Sequence, residues 1–174
     1  MEALKLVVPD GSMLEEIRAY RQAMLDAGSS MDGTGSLRHT EDIAEWLRQR
    51  DLMANEETVP EGKVPATQFV CVRPSDGRIV GMIQVRRRLN EYLFQYGGNI
   101  GYSVRPDERR KGYASWMLVQ ALLYCRALGM ERVMVSCLVE NEASRRTILK
   151  CGGVYENTVH EPQINVDLQR YWIT

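Results

Sequence analysis

From Val104 to Ala114 the chain reads Val-Arg-Pro-Asp-Glu-Arg-Arg-Lys-Gly-Tyr-Ala. This stretch joins an extended segment to a run with helical spacing, and Arg109, Arg110 and Lys111 stand immediately before Gly112. A helix start leaves its first N–H groups without partners and gathers the positive end of the helix dipole. Three cationic side chains beside such an end predict an anion site, and guanidinium is suited to bidentate phosphate contact. The ligand is therefore expected to carry phosphate. A second polar pair, Asn141 and Ser144, has helix-capping spacing ahead of a run that closes at Gly152-Gly153. His39 and His160 have no second ligand at i+3 or i+4, and Cys71, Cys125, Cys137 and Cys151 form no Cys-x-x-Cys pair. Neither metal nor disulfide is expected, and reduced core thiols fit a cytoplasmic protein.

The elements that must position these residues are read from periodicity. Leu4 to Val8 predicts a strand, and Ser12-x-x-Glu15 predicts a capping box for a helix with Met13, Ile17, Tyr20 and Met24 on one stripe. Ala27 to Leu37 is a turn-rich loop. A second helix follows from Thr40, with Ile43, Trp46, Leu47 and Arg50 at helical spacing, and residues 55 to 65 form another loop. Gln68 to Arg73 and Arg78 to Leu89, joined at Ser75-Asp76-Gly77, predict a hairpin, with a third strand near Asn99 to Arg105 completing a meander. A helix runs from about Gly112 to Gly129, and Val133 to Val139 is apolar enough for a strand buried on both faces. Asn141 opens the next helix, and residues 164 to 173 alternate as a strand.

Arg109-x-x-Gly112-x-Ala114, preceded by Val104-x-Pro106, resembles the acyl-CoA pyrophosphate loop of the GNAT superfamily of N-acetyltransferases. The segment Asn141-x-x-Ser144-x-x-x-Ile148-x-Lys150-x-Gly152 is similar to that family's fourth-helix motif, and the element order matches over residues 4 to 174. More closely, the chain looks like a branch of predicted acetyltransferases marked by Gly-Tyr-Ser-Val, Arg-Arg-Lys-Gly-Tyr-Ala and Asn-x-Ala-Ser-Arg. The resemblance implies one α/β (α+β) domain over residues 1–174. It would have a mixed, mostly antiparallel sheet of about six to seven strands, about four flanking helices, and strands splayed to admit CoA.

By that resemblance, backbone amides from Arg110 through Gly112 and Tyr113 to Ala114 hold the pyrophosphate, with the side chains of Arg109, Arg110 and Lys111 assisting. Backbone groups of Tyr102 and Val104 pair with the pantetheine arm, and Asn141 and Ser144 approach it from the far side. The implied reaction moves the acetyl group of acetyl-CoA directly to a primary amine, with no metal. Two family helpers are absent: Ile100 stands where relatives often carry an acid, and Ile148 where they often carry a proton-donating Tyr. Glu91, as a base through water, and Tyr102 are the substitute candidates. The acceptor pocket is expected along residues 28 to 39 and about 156 to 166, where Asp32 offers one negative charge.

Composition limits the alternatives. The net charge of -1 conceals an acidic stretch, net -7 over residues 1–61, and a basic remainder, net +6 over residues 62–174. The basic residues cluster at the phosphate loop and at Arg86 to Arg88 rather than along a stripe with interleaved aromatics, so no nucleic acid is expected as partner. Glu2, Lys5, Pro9 and Asp10 interrupt the first segment before a membrane span or signal could form. The acceptor is a small-molecule amine or a peptide amine, and both fit. A homodimer is compatible with the sequence. The competing reading is a GNAT-like module that binds acyl-CoA as a sensor without efficient catalysis.

Overall fold

The computed structural model describes residues 2–174. Strands β1 (Lys5–Val7), β2 (Ala66–Arg73), β3 (Arg78–Arg86) and β4 (Ile100–Val104) form an antiparallel sheet in that order, the expected meander with the first strand at its edge. Helices α1 (Leu14–Asp26) and α2 (Ile43–Ala54) cover one face, where Ile17, Tyr20, Met24, Ile43 and Trp46 pack on Val70, Ile79 and Met82. Helix α3 (Tyr113–Ala127) covers the other, with Met117, Leu118, Ala121 and Cys125 against Val80, Ile83 and Val85. β3 thus feeds two cores by alternation, interrupted by a bulge that turns Val80 and Gly81 both toward α3. Gly81 admits Met117, since a Cβ there would stand 2.7 Å from its methyl carbon.

A second antiparallel sheet, ordered β5 (Val133–Leu138), β7 (Val166–Ile173), β6 (Val154–Glu161), lies beside the first. Helix α4 (Glu142–Lys150) joins β5 to β6 and buries Ile148.

Several local expectations change. Ser12 does not cap α1. Asp10 caps a short turn ahead of it by accepting the Ser12 N–H at 2.8 Å, because a carboxylate two residues upstream is the stronger acceptor. Likewise α2 starts at Ile43, where the Asp42 side chain accepts from Ala44 and Glu45. β3 stops at Arg86 rather than Leu89. The connection to β4 winds into a helical turn and a π-helix at Leu93–Gly97. Residues 156 to 166, expected as a joining segment, are mostly strand β6, and only residues 162–165 turn.

Candidate active site

The start of α3 is built by two left-handed residues. Gly112 caps the helix with φ +81°, and Arg110 has φ +63°. This path leaves the backbone N–H groups of Arg110 to Ser115 with no acceptor among the described residues. Glycine takes a left-handed φ without strain, which explains its place at the cap. The neighbouring cations are less free than their spacing suggests. Lys111 Nζ donates to buried Glu108 at 2.7 Å, while Arg109 donates to the Val104 carbonyl at 3.1 Å and to Ser29 Oγ at 2.9 Å. Arg110 makes no ion pair among the described residues, so it is the cation left for a ligand. The Tyr113 ring is buried and its hydroxyl donates to Glu2 at 3.2 Å, leaving only the backbone of Tyr113 to the loop.

Glu108, which sequence reasoning missed, ties this loop to the β2–β3 hairpin. It accepts from Arg73 at 2.9 and 3.0 Å and pairs with Arg78 at 3.1 Å, beside the Lys111 contact. Burial pushes its carboxyl up, but the hydrogen bonds from Arg73 and Lys111 outweigh burial and hold it below the ordinary carboxylate range.

β4 and β5 part company just beyond a pin made by Asn99. The Asn99 N–H donates to Met134 O at 2.7 Å, its Oδ1 accepts the Met134 N–H at 2.9 Å, and its Nδ2 donates to Arg86 O at 3.0 Å. Gly98 (φ +70°) allows this contact, since a Cβ there would stand 2.7 Å from Met134 O. Beyond the pin no ladder joins β4 to β5. On β4, Asn99 O and Arg105 N bond toward β3. The alternation therefore turns the amides and carbonyls of Tyr102 and Val104 to the open edge. Arg109 takes the Val104 carbonyl, and the rest of that edge faces the gap.

Tyr102 reaches across the gap on the α3/α4 side, its hydroxyl 2.8 Å from Ser144 Oγ. Burial raises the Tyr102 pKa, so the phenol stays protonated at neutral pH. Asn141 accepts the Ser144 N–H at 3.1 Å as the cap of α4. Ile148 is fully buried and Ile100 nearly so, and neither offers a proton-carrying group. Tyr102, Val104, Arg109, Ser144 and the α3 start are thus brought together. Glu91 is not: it lies exposed on the β3–β4 connection, with no hydrogen bond or ion pair to other described residues. The loop of residues 28 to 39 does reach the gap from the α1/α2 side. A Cβ at Gly33 would lie 2.2 Å from Gly101 O and 2.7 Å from Tyr102 Cα, so the loop rests directly on β4. Its contact could not be read from spacing, because a glycine-rich loop gives no sign of what it lies against.

No group of three or more metal-binding side chains exists among the described residues, and none of their helices is long and apolar enough to cross a membrane. A family model for the acetyltransferase (GNAT) domain matches residues 14–154. The chain is 35% identical over 63 residues to an uncharacterized N-acetyltransferase, YoaA, of Bacillus subtilis (strain 168), a match spanning 36% of each chain. Among solved structures it is similar to Mycobacterium smegmatis RimJ in complex with CoA-disulfide, at a TM-score of 0.74 and 18% identity, covering 99% of this chain and 82% of that one. It is also similar to the microcin C7 self immunity acetyltransferase MccE in complex with acetyl-CoA and AMP, at a TM-score of 0.72 and 17% identity, covering 99% and 92%.

Proposed function

The chain belongs to the GNAT acetyltransferase family, and we propose that this acyltransferase takes acetyl-CoA as donor and a primary amine as acceptor. The observation that carries the reading is the row of acceptorless amides from Arg110 to Ser115 at the start of α3, one strand end away from the open edge of β4. Those amides, the helix dipole and Arg110 suit a pyrophosphate. The open N–H and carbonyl of Tyr102 and the N–H of Val104 suit the amides of a pantetheine arm, which would lie along β4 as an added strand. Asn141 and Ser144 border the arm from α4.

In the reaction the neutral amine nitrogen attacks the thioester carbon, the C–S bond breaks, and CoA leaves as a thiolate. An amide of β4 would stabilise the oxyanion, as preformed donors do in acyl transfer. One proton must leave the amine and one must reach the sulfur. Tyr102 is the candidate for the second role by position, since its hydroxyl meets α4 one turn before buried Ile148, while burial raises its pKa and makes it the weaker acid. Glu91 lies outside the residues gathered at the gap, so solvent receives the amine proton, and Glu91→Gln should leave the pH dependence of kcat unchanged. A thiol pKa near 8.5 makes the thiolate an acceptable leaving group, so positioning carries much of the rate.

Calorimetric titration tests the donor assignment. Acetyl-CoA should bind at least tenfold more tightly than acetyl-pantetheine, which lacks the pyrophosphate, since charge-assisted bonds each contribute about 1.5–3 kcal/mol. Equal affinity for the two would remove the α3 start as a phosphate site.

A further inference from the structure

The α1/α2 side of the gap holds a cation that the donor site does not use. Arg86, the last residue of β3, shares that face with Gly101, whereas Tyr102 lies on the other. Its Nη1 donates to the carbonyls of Gly97 at 3.0 Å and Gly98 at 3.2 Å, which anchors the guanidinium at the closed end of the fork. Nη2 extends over β4, where a Cβ at Gly101 would stand 3.3 Å from it. Arg88 pairs with Glu56, and Arg87 donates to the Ala54 carbonyl. Arg86 by contrast has no carboxylate within ion-pair distance among the described residues. The guanidinium is part-buried, held on one side by those carbonyls, and keeps Nε and Nη2 without a protein partner, a fixed cation able to meet an anion.

The same space holds one negative charge of opposite use. Asp32 precedes Gly33, the residue that rests on Gly101 and Tyr102, and its carboxylate is exposed except for a 3.0 Å bond from Ser30 Oγ. Its charge bears on Arg86 and on Tyr102 alike. Arg86 and the loop that carries Asp32 thus both meet β4 at Gly101, on the face opposite Tyr102, where an amine would approach a thioester laid along that edge. A polyamine or a lysine side chain brings only positive charge to Arg86, and a peptide N-terminus brings no carboxylate near its amine.

We propose that the acceptor is a free α-amino acid, its carboxylate held by Arg86 and its ammonium drawn in by Asp32. The inference rests on the acetyl-transfer reading and deepens it. The test measures acetyl-CoA turnover by the full chain on matched sets: each of the twenty amino acids, its amide, and the corresponding decarboxylated amine. At least one amino acid should exceed its amide and its amine in kcat/KM by about tenfold or more, the size of one charge-assisted contact. Arg86→Lys should collapse that preference ratio while acetyl-CoA affinity stays the same. A loosened fork would instead lower turnover of amino acid and amide together and leave the ratio intact, which would count against the assignment. Wild-type turnover of amides or decarboxylated amines equal to or above that of every amino acid overturns the inference and leaves acetyl transfer standing. Absence of turnover with every amine overturns the underlying reading as well.

Discussion

Single residues shape the start of α3 through backbone conformation as much as through charge. Gly112 holds φ +81° at the cap of α3. Gly112→Ala should therefore cost about 1–2 kcal/mol of stability, measured by urea unfolding, because a Cβ is strained in that region. Gly77→Ala, at φ +71° in the exposed β2–β3 turn, should cost a similar amount and leave acetyl-CoA affinity unchanged, whereas Gly112→Ala should weaken it. Tyr102→Phe removes the one hydroxyl that crosses the gap to Ser144. It should lower kcat by about 10²-fold, the scale of a lost general acid, with little change in acetyl-CoA affinity. An unchanged kcat would show that water protonates the sulfur. The motif residues are legible as types: Arg109, Gly112 and Ala114 predict a phosphate loop. Their partners were not. Lys111 is held by Glu108 and Arg109 by Val104 and Ser29, contacts set by the fold's long-range packing.

Between β4 and β5 the sheet forks, and the fork is closed at one end. Asn99 closes it by satisfying the Met134 amide and the Arg86 carbonyl. Asn99→Leu should destabilise the protein by about 1–3 kcal/mol for each buried group left unpaired, and it should weaken acetyl-CoA binding because β4 and β5 lose their fixed angle. Measuring both in one variant separates the pin from ordinary core packing: a stability loss with intact affinity would make Asn99 structural only. Periodicity revealed the meander, α3 and β5, since each carries a one- or two-sided apolar pattern, while α4 was legible from its Asn141 cap and closing Gly152-Gly153. It missed β6, whose residues are exposed along most of the strand, so Val-Tyr-Glu-Asn-Thr-Val-His-Glu shows no buried face to alternate. It also missed the π-helix, whose Leu93, Phe94 and Tyr96 favour no single period. The fork itself joins residues 35 apart in sequence and leaves no local trace.

For the whole molecule, the uneven charge that stood out in the sequence is largely accounted for by structure. Acids of the first third cap turns at Asp10 and Asp42 and pair with arginines, as in Glu45–Arg48 and Glu56–Arg88. Arginines of the remainder neutralise Glu108 and Asp76 beneath the start of α3. Hydrogen bonds from Arg73 hold Asp76 at about 2, and Glu108 also lies below its ordinary value. Folded values below unfolded ones stabilise the protein once both groups are ionised, and that contribution fades as pH falls through the folded values. Thermal unfolding should therefore show stability roughly constant near neutrality and declining from about pH 5 toward pH 2, with a shallower decline in Glu108→Gln. The central claim, that the chain transfers acetyl from acetyl-CoA to an amine, is tested most directly by the rate of thiol release from acetyl-CoA against amine concentration. The expected result is release that rises with amine and saturates, with N-acetylated product formed in equal amount. Tight acetyl-CoA binding with release independent of every amine tried would contradict it and mark the chain as a sensor of acyl-CoA.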